Sequence, residues 1–523
     1  RTTDPGVSGR LMASLFTRLG FRRARIDNTA LGPSGTRVGT WDTPLAVVDS
    51  RGTVWPITGG RETSWRAEWW IGADDRWYAP AVEAAVRHTR PGVGPVLETR
   101  MRVSGGDVVA TTWAGQADGS AGPAVVVELA NETPVPVAVA VTVQAAAGGQ
   151  IRRLAVDGRR LLADGTPAVV VDRDPGRSAL VDASGDLWDE VTGGRAVVGS
   201  SDPIRCRIGS AAGALIVPLP HRTAFRFAVP AGDLIDNPSA VLPSAERVAA
   251  GWVNRLEGAA TVDLPDGIDA HRLLVDLVLA ESSAAALVEL GRWGFAEEAA
   301  HRLVTGLPDI GSADAGASHL QAAAMLWTLT RNPVLFAGAG TDALEHIVRA
   351  GGDDADARRA VADLADLFEA LGDHTAAHDA RAHSGMTSTR KAAIGAGSTV
   401  DGGPAAELRN LAERLVRPST DGLDLLVAMP DAWLGQPIEV HGLATPRGRL
   451  SLAVRWHGER PALLWELEPH PLPHPGMDAV VLRVPSLDRA FSTTEPSGEA
   501  LLAAPAGWVP SGAAPPVEGG SFN

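Results

Sequence analysis

Val125-Val126-Val127-Glu128-Leu129 is followed by Ala130-Asn131-Glu132-Thr133-Pro134, and then by a second apolar run over residues 135–143. Runs of this length, rich in β-branched valine, read as strands. Asparagine, proline and an acidic residue between them are turn formers, so the segment is a hairpin or a bent connection. The same pattern spreads outward. Residues 108–112, 168–171, 214–217 and 223–228 are further short apolar runs, separated by Gly, Pro, Asp and Asn. About six or more such strands predict an antiparallel β-sandwich.

Near residue 244 the pattern changes. Ser244 followed by Glu246-Arg247 has the composition of a helix N-terminus. Between 271 and 290, Leu273, Leu274, Leu277 and Val278 set a helical rhythm, and Gly291 is placed to end it. Residues 296–303, 319–329, 342–349, 356–371 and 405–415 extend the series to about six or seven helices. A Gly/Ser/Thr-rich connection covers 385–403, and strand-like runs return at 450–456, 463–467 and 479–484. The expected division is therefore a basic N-terminal segment over 1–37, disordered or amphipathic, and a β-sandwich over 38–265. An α/α helical domain over 266–420, a small C-terminal β-domain over 421–508 and a disordered tail over 509–523 follow.

A chain of 523 residues is too long for one hydrophobic core. Its 47 basic and 62 acidic side chains leave a formal charge of −15, which argues against a general nucleic-acid binder. Lys391 is the only lysine, so amine-nucleophile chemistry has one candidate. Cys206 is the only cysteine, which excludes an intramolecular disulfide and fits a cytoplasmic location. No apolar run approaches the roughly 18–20 residues needed to span a bilayer. Residues 11–26 mix Leu11, Leu15, Phe16, Leu19 and Phe21 with Arg18, Arg22, Arg23 and Arg25. That is a basic amphipathic helix on an anionic membrane or a poorly defined terminus. Phosphate-loop, dinucleotide-binding and serine-elbow motifs do not occur, and no cofactor is expected. His374, His378 and His383 lie at helical spacing, but Thr375 stands where a zincin has glutamate, so no metal is expected either.

Two segments carry a family resemblance. Glu68-Trp69-Trp70-Ile71-Gly72-Ala73-Asp74-Asp75-Arg76-Trp77 resembles a signature of actinobacterial proteins related to six-hairpin glycosidases. Met429-Pro430-Asp431-Ala432-Trp433, Gly442-Leu443-Ala444-Thr445-Pro446-Arg447-Gly448 and Val454-Arg455-Trp456 resemble the small β-domain that follows the helical toroid in that class. The resemblance implies a β-sandwich before an (α/α)6 toroid, with a sugar site in the toroid's mouth. A full toroid has twelve helices at roughly 20 residues each with its connection, so the region 266–420 holds a shortened or incomplete ring.

Glycoside hydrolysis needs two carboxyl groups across a sugar, about 6.5–9.5 Å apart for inversion and about 5–5.5 Å for retention. Six of the 15 tryptophans (Trp41, Trp55, Trp65, Trp69, Trp70 and Trp77) surround Glu62, Glu68, Asp74 and Asp75, with Arg66 and Arg76 close by. Indole faces stack on sugar C–H faces, which makes Trp65, Trp69, Trp70, Trp77 and Arg76 the candidate substrate-binding residues. The competing assignment has the indoles filling a seam and Asp74-Asp75 capping a turn. Glu68, Asp74 and Asp75 are candidate catalytic acids. Asp309 and Asp314, beside His319, are two more, and they also suit helix caps. Glu281, Glu289, Glu297 and Glu298 read as solvated helix faces. The expected partner is a glycan or oligosaccharide, hydrolysed by a two-carboxylate mechanism if the protein is active. A non-catalytic glycan-binding or protein-interaction relative is the alternative, and a homo-oligomer whose partial toroid pairs with a second copy is the third.

Overall fold

The structure, a computed structural model, describes residues 34–41, 43–59, 61–62, 64–116, 122–199, 201–232, 237–280, 283–305, 313–337, 355–383, 402–472 and 479–505. The amphipathic stretch 11–26, the helix expected over 342–349, Lys391 and the tail over 509–523 lie outside them. The chain combines large antiparallel sheets with helices and divides into two compact units, one ending at Ala249 and the other beginning at Ala250.

Two sheets make up the first unit. One runs in spatial order through Gly35–Thr40, Thr43–Asp49, Val54–Thr58, Trp65–Gly72, Val137–Ala145, Ala212–Leu219, Arg177–Val181 and Val197–Val198. The other runs through Ile204–Arg205, Arg153–Asp157, Arg160–Ala163, Thr166–Val171, Ala224–Pro230, Pro123–Asn131, Gly106–Gln116, Leu97–Val103 and Val86–Thr89. Val139, Val141 and Trp69 from the first share one buried core with Val125, Val127 and Phe227 from the second, which makes the pair a sandwich.

The two halves of the segment 125–143 belong to different sheets. Pro123–Asn131 pairs with Ala224–Pro230, and Val137–Ala145 pairs with Ala212–Leu219. The connection is thus the bent alternative, an arch between sheets, and residues 219–224 form a second arch beside it. Pro134 and Pro136 have no N–H to give to a hairpin ladder. Asn131, 1% exposed, holds the two arches together. Its side-chain amide donates to the carbonyls of Val135 at 2.9 Å, Leu219 at 3.2 Å and Pro220 at 3.3 Å. Its side-chain oxygen accepts from the Thr133 N–H at 2.9 Å and hydroxyl at 2.8 Å. Its backbone N–H donates to the Thr223 carbonyl and its carbonyl accepts from the Arg222 N–H.

In the second unit, helices and two sheets pack together. The five-stranded sheet runs Thr261–Asp263, Ile438–Thr445, Gly448–His457, Arg460–Glu468, Ser497–Leu501. The four-stranded sheet runs Val416–Pro418, Gly422–Leu425, Val481–Val484, Asp488–Thr493. Thr261–Asp263 falls inside the stretch assigned to the sandwich from sequence, yet it pairs with Ile438–Thr445. The division between units accordingly falls before it, at Ala249/Ala250.

The helical run expected over 271–290 is two helices, Ala270–Val278 and Ala284–Arg292. Ser283 caps the second by accepting from the Ala286 N–H at 3.2 Å. Gly291 does not end this helix but sits within it, because a Cβ there would meet a Leu326 methyl at 2.2 Å. The glycine lets two helices approach. Ala284–Arg292 packs on Ala313–Thr330, which packs on Ala355–Ala370, while Ala296–Thr305 touches the first two. Pro404–Leu415 returns to Ala270–Val278 and Ala284–Arg292.

Replacing Asn131 by leucine removes the bonds that its own side chain makes to both arches and leaves the Leu219 carbonyl and Thr133 N–H without them. The expected cost is on the order of 3 kcal/mol, with about 1 kcal/mol for Thr133→Val, measured by urea unfolding. A loss for Asn131→Leu no larger than that for Thr133→Val would show that strand pairing alone holds the arches.

Candidate functional site

The strand Trp65–Gly72 carries most of the residues singled out from the sequence, and strand alternation separates them. Trp65, Ala67, Trp69 and Ile71 face the sandwich core. Arg66, Glu68 and Trp70 project from the other face, where Trp70 joins a small cluster with Leu187 and Val191. Trp188 of the helix Leu187–Thr192 meets Trp70 edge-on, with ring centroids 5.0 Å apart.

Glu68 is held by three donors. Arg66 Nε lies 2.5 Å from one carboxylate oxygen. Gln144 Nε2 lies 3.3 Å and Trp70 Nε1 3.4 Å from the other. Arg66 also donates to the Ala145 carbonyl on the neighbouring strand at 3.1 Å. Arg51, Gly52, Thr53, Pro80 and Ala81 close over Glu68 and Trp69 and leave no room for a water molecule. The loop bearing Pro80 is tied down where Arg51 Nη1 donates to the Glu83 carbonyl at 2.7 Å. This arrangement joins strands and engages the Glu68 carboxylate.

Asp74 and Asp75 are exposed in the turn between Trp65–Gly72 and Trp77–Tyr78. The Tyr78 hydroxyl donates to Asp75 at 2.7 Å, and that bond holds the Asp75 carboxyl below its ordinary range. Burial, followed by the same bond, raises the Tyr78 phenol. The Arg76 guanidinium lies 3.8 Å over the Tyr78 ring and grips Glu83 through two nitrogens at 2.5 and 3.0 Å. Asp75 and Arg76 are thus brought together with Tyr78 and Glu83, two residues the sequence reading passed over. Tyr78, the sole tyrosine of the chain, was the available signal. Trp77 lies flat on Gly72, where an added Cβ would come within 2.8 Å of its ring.

Trp65 is placed differently. It lines a cavity of about 80 Å³ between the two sheets, with Leu45, Ile57 and Thr58 from its own sheet and Thr166, Ala168 and Val229 from the other. Pro56, Pro167 and Pro230 also border the space. Proline gives no ladder N–H, and the register slips between Leu161 and Leu162 opposite Pro167. Both features keep the ends of the sheets from closing on each other.

Asp309 lies outside the described residues, and Asp314 falls in the helix Ala313–Thr330 without a described side chain. Glu289 overturns its assignment to a solvated face: it is 0% exposed. Its helix packs against Ala270–Val278, Ala296–Thr305, Ala313–Thr330, Pro404–Leu415 and the strand Ile438–Thr445, so this position faces protein. Arg292 lies 2.9 Å from one carboxylate oxygen and Arg409 lies 3.6 Å from the other, joining two helices. Burial nevertheless dominates and raises the Glu289 pKa.

No family model and no curated relative matches the chain. Among solved structures, a bacterial glucoamylase complexed with acarbose superposes with a TM-score of 0.43 at 8% identity, over 75% of this chain and 70% of that one. A GH92 family glycosyl hydrolase superposes with a TM-score of 0.20 at 10% identity, over 63% of this chain and 51% of that one. Neither similarity places a residue or an activity in this chain.

Glu289 generates a pH prediction. Because its folded pKa is raised, the folded chain binds the proton more tightly than the unfolded chain. Its contribution to stability is therefore greatest below the ordinary carboxylate pKa and falls as pH rises from there to the raised folded value. Glu289→Gln should remove that decline, seen as a flatter urea midpoint as pH rises above the ordinary carboxylate range. Identical profiles for the two proteins would show that Arg292 and Arg409 offset the burial completely.

Proposed function

We propose that this chain is a carbohydrate-active protein, glycoside-hydrolase-like in plan, whose first unit binds glycan at Trp65. One observation carries the reading. Of the four candidate indoles, Trp65 lines a cavity with room for part of a ligand, whereas Trp69 and Trp70 are buried in packing clusters and Trp77 covers Gly72. An indole at the mouth of a cleft offers a flat apolar face to the C–H side of a sugar ring. The Thr58 and Thr166 hydroxyls, both on exposed residues of the same lining, supply polar partners for sugar hydroxyls.

The first unit favours binding over turnover at this place. Two carboxyl groups must face one sugar for hydrolysis. Among the described residues, those that line the Trp65 cavity include no carboxylate, and Glu68 is engaged by Arg66, Gln144 and Trp70. Asp74 and Asp75 stand in an exposed turn away from this lining, and Asp309 and Asp314 of the second unit are the pair we assign to hydrolysis. There the alternate-helix packing supports a reading as a shortened α/α toroid.

A panel of oligosaccharides assayed for both retention and cleavage tests the proposal. Trp65→Ala should weaken binding of the retained glycans about tenfold or more, a loss typical of an aromatic anchor. Cleavage, where it is measured, should disappear in Asp309→Asn or Asp314→Asn. Retention unchanged by Trp65→Ala, or a panel in which nothing is retained, would sink the reading.

A further inference from the structure

The Trp65 cavity is graded from rim to floor. Thr58, Thr166 and Ala231 at its edge are exposed, whereas Leu45, Ala168 and Val229 at its base belong to the buried core. Apart from Thr58 and Thr166, every lining residue is apolar. The space therefore opens to solvent on a polar rim and ends on a floor that makes no side-chain hydrogen bonds.

Volume and chemistry together restrict what enters. A cavity of about 150 Å³ is what accepts a benzene ring. This one, at about 80 Å³, takes roughly half of that, too little for a pyranose ring but enough for a group of a few heavy atoms. No side chain of the floor offers a partner to a sugar hydroxyl pushed against it, which makes that position costly. A methyl group entering the space leaves water for a lining whose side chains, Thr58 and Thr166 apart, are apolar, which is favourable.

We propose that the cavity is a pocket for a short acyl group carried on a sugar, an acetyl group as in an acetamido sugar. This rests on the glycan reading above and names the class of glycan. The methyl end occupies the floor between the two sheets. The amide or ester end stays at the rim, beside the Thr58 and Thr166 hydroxyls, and the sugar ring lies outside against the Trp65 indole. Selectivity then follows from a difference in one substituent: an acetylated sugar fills the floor, and an unsubstituted one leaves it empty.

The test compares N-acetylchitotriose with cellotriose, which differ by the acetamido groups, in calorimetric titrations of the full chain. The expected result is at least tenfold tighter binding of N-acetylchitotriose. Ala168→Leu, which extends a side chain from the floor into the space, should bring the two affinities measured on that variant level. Thr166→Trp blocks the mouth from an exposed position and should do the same, so the test survives if Ala168→Leu does not fold. Equal affinities on the unsubstituted chain would overturn the acyl pocket while leaving the glycan reading intact. So would a preference that both variants retain. Binding of neither sugar, nor of any other glycan in the panel, would overturn the glycan reading and the pocket with it.

Discussion

The buried side-chain amide of Asn131 is the contact on which the first unit turns. Two chain segments leave one sheet and enter the other side by side, and Asn131 bonds to both crossings. A buried amide that satisfies several backbone carbonyls at once has no equivalent among apolar side chains, and leaving those carbonyls unpaired is expensive. Register follows from this contact. The strand Val137–Ala145 begins where the arch ends, and it sits between Trp65–Gly72 and Ala212–Leu219. With a side-chain period of two, a slip of one residue at the arch would reverse which face every one of those side chains meets. The orientation of Trp65 toward the space between the sheets is thus set from the far end of its neighbouring strand.

Much of this was legible in residue patterns. The apolar runs at 125–129, 214–217 and 463–467 are strands, and the helices at 296–305, 355–370 and 404–415 lie where Leu and Ala periodicity places them. Local patterns are reliable here because each run buries one face or one stripe, and the period shows which. Long-range partners were not legible. Residues 125–143 were compatible with a hairpin or a bent connection, and the choice depends on residues 219–224, some ninety positions away in the chain. The strand Thr261–Asp263 is three residues long, and its partner Ile438–Thr445 is more remote still, so no local signal distinguishes it from the end of the sandwich.

Glu289 and Gly291 show the same limit for individual residues. Both were read through their usual roles, glutamate as a solvated surface group and glycine as a helix stop. Their helix is instead packed on several sides, so a carboxylate on it has no route to water and a missing side chain becomes space for Leu326. A helix surrounded by others loses the polar face that amphipathic reasoning relies on. The buried carboxyl is paired with arginines from two helices. Such an arrangement adds little net stability, because desolvation offsets the attraction, but it specifies which helices meet.

The tryptophan cluster makes the converse point about function. Closeness in sequence suggested one surface, but neighbours on a strand point to opposite sides, so Trp69 and Trp70 serve two separate cores. What singles out Trp65 is its place on the strand. It has the same inward orientation as Trp69, four residues later, yet it stands at the first position of Trp65–Gly72, where the opposing strands no longer cover the inner face. An inward-facing indole fills a core in the middle of a strand and lines a mouth at its end. Prolines at positions 56, 167 and 230 mark that end independently, since each removes a donor that would otherwise extend a ladder. Aromatic content alone therefore does not locate a sugar site in this chain. What sets Trp65 apart from Trp69 is the first position of the strand, bordered by Pro56 of its own sheet and by Pro167 and Pro230 of the other.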